Sequence, residues 1–254
     1  MLRTKILAVV TVLCMAGCGL SFYFKAPLNV RAPITMASAV ASRPKAPSPL
    51  PNTTNWINTE TKKISSEANN LNPAVLRLSL VAYLHARKQG LDQKKVLTIV
   101  DYSKPSGMRR LWVIDLKSDK ILFNTWVAHG KNSGGAVATS FSNKNQSLKS
   151  SLGVFDTAEP YTGHDGYSLR VRGLEQGVND NAYNRDVVFH GAAYASGAVA
   201  KSRGMLGRSW GCLAVGKETI TPLVNTIKND TIVVAYYPDK TWLEKSPYLN
   251  SKSI

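Results

Sequence analysis

Two side chains stand out as a pair able to do covalent chemistry. Asp186-Val-Val-Phe-His-Gly191 reads as a buried strand that delivers His190 at its end, and Gly207-Arg-Ser-Trp-Gly-Cys-Leu213 reads as a glycine-flanked turn carrying Cys212. A thiol with an ordinary pKa of about 8.5 is mostly protonated at neutral pH. An imidazole beside it can take the proton, and the resulting imidazolium stabilises the thiolate nucleophile. Gly211 lets the backbone approach closely, so the N–H groups of Gly211 and Cys212 are candidates for an oxyanion site. One such donor is typically worth about 3–4 kcal/mol of barrier. Arg208 is a further source of positive potential. Separation along the chain means that His190 and Cys212 can meet only through the fold.

The elements that must bring them together are mostly strands. Asn72-Pro73 reads as the N-cap and first turn of a helix, with Val75, Leu76, Leu78, Leu80, Val81 and Leu84 as its apolar stripe and Gly90 at its end. Short β-rich runs follow at Val96–Tyr102, Leu111–Leu116, Ile121–Val127, Gly153–Phe155, Ser168–Val171, Val187–His190 and Thr231–Tyr237, separated by Gly, Asn and Ser clusters. Lys217–Lys228 carries Ile220, Leu223, Val224 and Ile227 on one face and reads as a helix shortly after the cysteine. Many short strands with few helices predict a mainly β sandwich or barrel. Ser196–Leu206 reads as a connection, and residues 238–254 as a polar tail.

The N-terminus reads as an address. Arg3 and Lys5 precede the apolar run Ile6–Met15, and Met15-Ala-Gly-Cys18 resembles a bacterial lipobox with Cys18 as the lipidated residue. The alternative is an uncleaved anchor over 6–24, a stretch without a formal charge. Both readings export the domain and leave Cys212 as its only free thiol, in an oxidising compartment where a solitary cysteine calls for an explanation. Residues 19–55 form a linker rich in proline, with half of the chain's 12 prolines between Ala26 and Asn55. Such a segment is an extended, semi-rigid spacer. It suits a domain held away from a membrane to reach a fixed polymer. The helical lead-in spans 56–95 and the catalytic domain 96–237.

The chain has 254 residues, 44% hydrophobic, with 32 Lys+Arg against 16 Asp+Glu for a formal charge of +16. That composition excludes wholesale disorder and a multi-pass membrane protein. The charge on its own fits a polyanionic partner and plain solubility equally well; export points to an acidic cell wall or anionic lipid rather than nucleic acid.

The chain resembles the murein L,D-transpeptidase catalytic-domain family. The resemblance rests on five blocks: Leu97-Thr-Ile-Val-Asp101; Val127-Ala-His-Gly-Lys-Asn-Ser-Gly134; Ser150-Ser-Leu-Gly153; Gly166-Tyr-Ser-Leu-Arg170 with Asn179-Asp-Asn181; and His190-Gly-Ala with Gly207-Arg-Ser-Trp-Gly-Cys212. It implies a mainly β sandwich acting on peptidoglycan stem peptides through a Cys212 thioester, with no cofactor. His190 would be the base, the Gly191 carbonyl would orient the imidazole, and Ser209 would take the hydroxyl position of the turn. Trp210 stands where the broader superfamily has His, Ala214 where it has Arg or Asn, Leu213 for the subgroup's Pro, and Asp165 where the pattern expects His. Arg208, Trp210, Tyr167, Ser168 and His129 are candidate substrate contacts. His129 also reads as a structural strand-end histidine, and Tyr167 and Ser168 as an ordinary strand start. Hydrolysis of the same bonds and non-catalytic wall binding are the alternatives. A zinc site from His164, His190 and Cys212 lacks the tight ligand spacing of zinc motifs.

Overall fold

The computed structural model describes residues 53–249. The lead-in is two helices, α1 (Thr53–Glu67) and α2 (Pro73–Lys88). The Asn72 side chain accepts from the Ala74 N–H at 2.9 Å, and Pro73 sits where a missing N–H costs nothing. Gly90, at φ +74°, turns the chain out of the helix.

Eight strands follow in one sheet: β1 (Val96–Asp101), β2 (Leu111–Asp115), β3 (Lys120–Thr125), β4 (Gly153–Gly163), β5 (Gly166–Gly173), β6 (Val188–Gly191), β7 (Leu213–Val215) and β8 (Ile232–Tyr236). Their order is β3-β2-β1-β8-β4-β5-β6-β7, with β1–β8 and β6–β7 parallel and the other pairs antiparallel. Three further helices complete the chain: α3 (Gly197–Arg203), α4 (Lys217–Ile227) and α5 (Lys240–Lys245).

Alternation along the central strands fills two cores. Leu97, Ile99, Trp112, Ile114, Ile232 and Val234 pack under α1 and α2. Their neighbours Val100, Leu111, Val113, Val233 and Ala235 face the other way. Both faces are therefore covered, which is why β1 is buried along its whole length. The second core also takes Leu169, Val171, Phe189, Leu213, Val215 and the apolar face of α4. Strands from both ends of the sheet thus share one core, so the sheet curls around it. The chain leaving β3 completes the curl: the Ala128 N–H donates to the Ala214 carbonyl at 2.8 Å, and Gly130 bridges Ser209.

The mainly β architecture matches the expectation, with four differences in detail. Gly153–Phe155 is only the start of β4, which runs to Gly163 and pairs with β5 as a long hairpin. Ser196–Leu206 is not a plain connection but contains α3, capped by the Ser196 side chain. The stretch read as a polar tail carries α5, with Trp242 and Tyr248 buried against the first core. The helical lead-in expected from residue 56 starts earlier, since α1 begins at Thr53. No helix among the described residues is long and apolar enough to cross a membrane. The segments expected to be a signal or anchor, with Cys18, and a linker fall in residues 1–52, outside the described residues.

Candidate active site

His190 and Cys212 line one cavity of about 450 Å³. The topology explains why. β6 and β7 run parallel with His190 opposite Ala214, and Cys212 stands two positions before Ala214, so side-chain alternation puts both on one face. Below them Phe189 and Leu213 enter the core. A larger cavity, about 550 Å³, lies beneath α5 against Glu175 and Trp242, and neither histidine nor cysteine lines it.

The turn before β7 is pinned from below. The Ser209 hydroxyl donates to the Cys212 carbonyl at 2.7 Å and accepts from the Gly211 N–H at 3.2 Å. The Ser209 N–H donates to the His129 carbonyl, and the Lys131 N–H to the Ser209 carbonyl. Gly211 holds φ +129°, and a Cβ there would lie 2.9 Å from the Lys149 carbonyl oxygen, so glycine is required. Gly191 lets α4 pack closely on the other strand: a Cβ would meet Ile220 Cγ2 at 2.8 Å.

The thiol donates to the Asp186 carbonyl at 3.4 Å. Burial pushes its pKa up, and the carboxylates of Asp165 and Asp186 add to that; the Val188 N–H and the Arg185 guanidinium oppose it. Asp186 presents its carbonyl from the left-handed region, at φ +52°, a conformation that Asp tolerates better than most residues. His190 is buried, and its Nδ1 has no hydrogen-bond partner among the described residues. The nearest acid to that nitrogen is Asp165, with Oδ2 at 3.6 Å.

Several expected contacts are corrected by this geometry. The Gly191 carbonyl does not hold the imidazole, since Nδ1 is unpaired. The Gly211 N–H is committed to the Ser209 hydroxyl, which removes it from an oxyanion pair in this conformation. Tyr167 points its hydroxyl to Asn225 on α4 at 3.0 Å, and the Ser168 hydroxyl donates to the Gly166 carbonyl; neither residue lines the cavity. His129 is fully buried beneath the turn, where the Arg110 guanidinium donates to its Nδ1 at 2.8 Å, so it is not a wall of the cleft. Arg208 and Trp210 do line the cavity. Arg208 donates to the Gly134 carbonyl at 3.1 Å, while Trp210 is 74% exposed with Lys131 Nζ 6.0 Å from its ring. Among the described residues, no group of three or more His, Cys, Asp or Glu is arranged to hold a metal ion.

Three participants carry no local signal in the sequence. Arg185 donates to the Ser142 and Lys149 carbonyls and to the Ser147 and Ser151 hydroxyls, with no carboxylate partner among the described residues. Its positive charge therefore remains available beside Cys212. The Asp186 carbonyl is a backbone group, and Lys217 reaches the cavity only because α4 packs on Gly191.

A family model described as the L,D-transpeptidase catalytic domain matches residues 67–236. No curated protein matches the sequence significantly. Similar solved structures include an L,D-transpeptidase from Mycobacterium smegmatis, 14% identical, covering 56% of this chain and 59% of that one at a TM-score of 0.35. Mycobacterium tuberculosis L,D-transpeptidase 1 is 11% identical, covering 56% of this chain and 62% of that one at a TM-score of 0.33. The chain thus spans about three-fifths of the length of these structures.

Proposed function

We propose that this chain, which belongs to the L,D-transpeptidase catalytic-domain family, is an exported enzyme that transfers acyl groups between peptidoglycan stem peptides through a thioester on Cys212. The observation that carries this reading is the meeting of Cys212 and His190 at one cavity, from adjacent parallel strands. The thiol leaves the Asp186 carbonyl and gives its proton to His190 Nε2. The sulfur then attacks the carbonyl of an L-centred residue of the donor stem, the third by the family resemblance. Collapse of the tetrahedral intermediate breaks the peptide bond, and His190 returns the proton to the departing amine of the D-amino acid. An amine of a second stem attacks the thioester and releases the sulfur. Arg185 steadies the charge on sulfur from the far side of Gly211.

Export and membrane attachment through Cys18 or the 6–24 segment are supported by Arg3, Lys5 and the apolar run behind them. The charge of +16 suits an anionic wall polymer. The test is mass spectrometry of the products from a defined tetrapeptide stem, with and without an acceptor amine. A cross-linked product that disappears in Cys212→Ala supports transfer. Tripeptide alone, with acceptor present, would replace transfer by hydrolysis, and undiminished turnover in Cys212→Ala would remove the cysteine mechanism.

A further inference from the structure

We propose that Asp165 is the positioning residue of His190: its carboxylate, at the tip of the β4–β5 hairpin, accepts the Nδ1 proton and thereby directs Nε2 to the Cys212 sulfur. The inference rests on the reading of His190 as the base and adds the group that holds it.

A buried imidazole nitrogen is costly to leave without a partner, and a base whose ring can flip or change tautomer presents the wrong nitrogen to its substrate. Nδ1 of His190 is such a nitrogen. Among the residues that line the cavity, Asp165 carries the only carboxylate. Its Oδ2 lies 3.6 Å from Nδ1, and its Oδ1 is 3.2 Å from Nδ1 of the fully exposed His164, which leaves Oδ2 turned inward. The gap to His190 is about 0.5 Å beyond hydrogen-bond range.

The hairpin supplies the means to close it. Asp165 occupies the two-residue turn between Gly163 and Gly166, which pair as the last rung of β4–β5, and Gly166 takes the left-handed conformation the turn needs, at φ +79°. The Asp165 side chain is 53% exposed, so the tip is free to settle on His190 when a stem peptide covers the cavity. The other charged or titratable groups around the imidazole come from every neighbouring element: His164 from the same hairpin, Cys212 and Arg208 from the turn before β7, Tyr194 from the turn at 193–195, and Lys217 from α4. Arg208 and Lys217 are the cations at the cavity, and Asp165 is the one carboxylate in its lining. During the reaction the carboxylate stays ionised. The proton shuttles only between sulfur, Nε2 and the leaving amine, while Nδ1–H remains on the ring and is held by Oδ2.

The test uses the full chain as wild type, Asp165→Asn, Asp165→Glu and His190→Ala. Two quantities are followed across pH: the rate of Cys212 alkylation by iodoacetamide, and kcat/KM on a tetrapeptide stem. Expected for Asp165→Asn is a loss of about 10- to 100-fold in both at neutral pH. The acidic limb of its kcat/KM profile should move to lower pH, and Asp165→Glu should recover most of the rate. Wild-type rates in Asp165→Asn at every pH would overturn the proposal, and so would a uniform loss with an unmoved acidic limb. If His190→Ala alkylates and turns over like wild type, the reading of His190 as the base fails instead.

Discussion

Lowering the pH should loosen the floor of the active-site turn through a single imidazole. His129 is fully buried and accepts from Arg110 Nη2 at 2.8 Å on Nδ1. Arg110 is itself fully buried and donates to the Val127 and Lys104 carbonyls. Protonating His129 would place two cations in contact away from water. Burial first, and then Arg110, hold its pKa down to about 4 against an ordinary 6.5. The folded state therefore refuses a proton that the unfolded chain accepts between pH 6.5 and 4. Stability from this group is complete above pH 6.5 and falls as pH drops toward 4, by about 3 kcal/mol in all at about 1.4 kcal/mol per pH unit. Asp156 and Glu175 act in the opposite sense, since burial raises their pKa values and acid stabilises the fold through them. The clean measure is thus the difference between wild type and His129→Asn in urea unfolding at pH 7 and at about pH 4.5. Wild type should lose about 2–3 kcal/mol more than the variant. Equal losses in the two proteins would refute the assignment.

Three other substitutions test separate contacts. Gly211→Ala forces a side chain to within 2.9 Å of the Lys149 carbonyl oxygen at φ +129°; kcat/KM on a stem peptide should fall by about tenfold or more, with the circular dichroism spectrum preserved. Glu175→Ala removes the carboxylate that accepts from Trp242 Nε1, the Ser246 hydroxyl and the Val154 N–H; stability should drop by about 2–4 kcal/mol, and tryptic cleavage at Lys240 and Lys245 should accelerate. Arg185→Met withdraws the cation that lowers the Cys212 pKa; alkylation at pH 7 should slow by about threefold or more, and an unchanged rate would reduce Arg185 to a clamp on the 142–151 loop.

The strands that could be read from the sequence are those whose burial left an unbroken apolar or alternating run. Val96–Asp101 and Leu111–Asp115 are covered on both faces, so their sequences show the burial directly. β4 was legible only to Phe155, because beyond it the run Asp156-Thr-Ala-Glu-Pro160 is polar and holds a proline; pairing with β5 keeps it extended, with the register shifting between Thr157 and Pro160. β7 is too short to signal at all, yet its pairing with β6 is what unites the two candidate side chains. Trp242 and Tyr248 disappear into a polar composition, and their polar partners, Glu175 and Gln89, lie far away in the chain.

Within the candidate site, the thiol and the imidazole are singled out by residue type, but their surroundings carry no such signal. Backbone commitments decide those surroundings. The Gly211 N–H is taken by Ser209, and the Asp186 carbonyl holds the resting thiol. Tyr167 and Ser168 share a family block, but the Tyr167 hydroxyl goes to Asn225 on α4 and the Ser168 hydroxyl to the Gly166 carbonyl. Asp165 was visible as a departure from the family pattern, and only the hairpin shows what it faces.

The most direct measurement is the intact mass of the chain during turnover of a defined tetrapeptide stem, followed by peptide mapping. An acyl-tripeptide adduct should appear on Cys212, decay when an acceptor amine is added, and fail to form in Cys212→Ala and His190→Ala. Continued product formation by Cys212→Ala, or an adduct that maps to any other residue, would contradict a thioester mechanism.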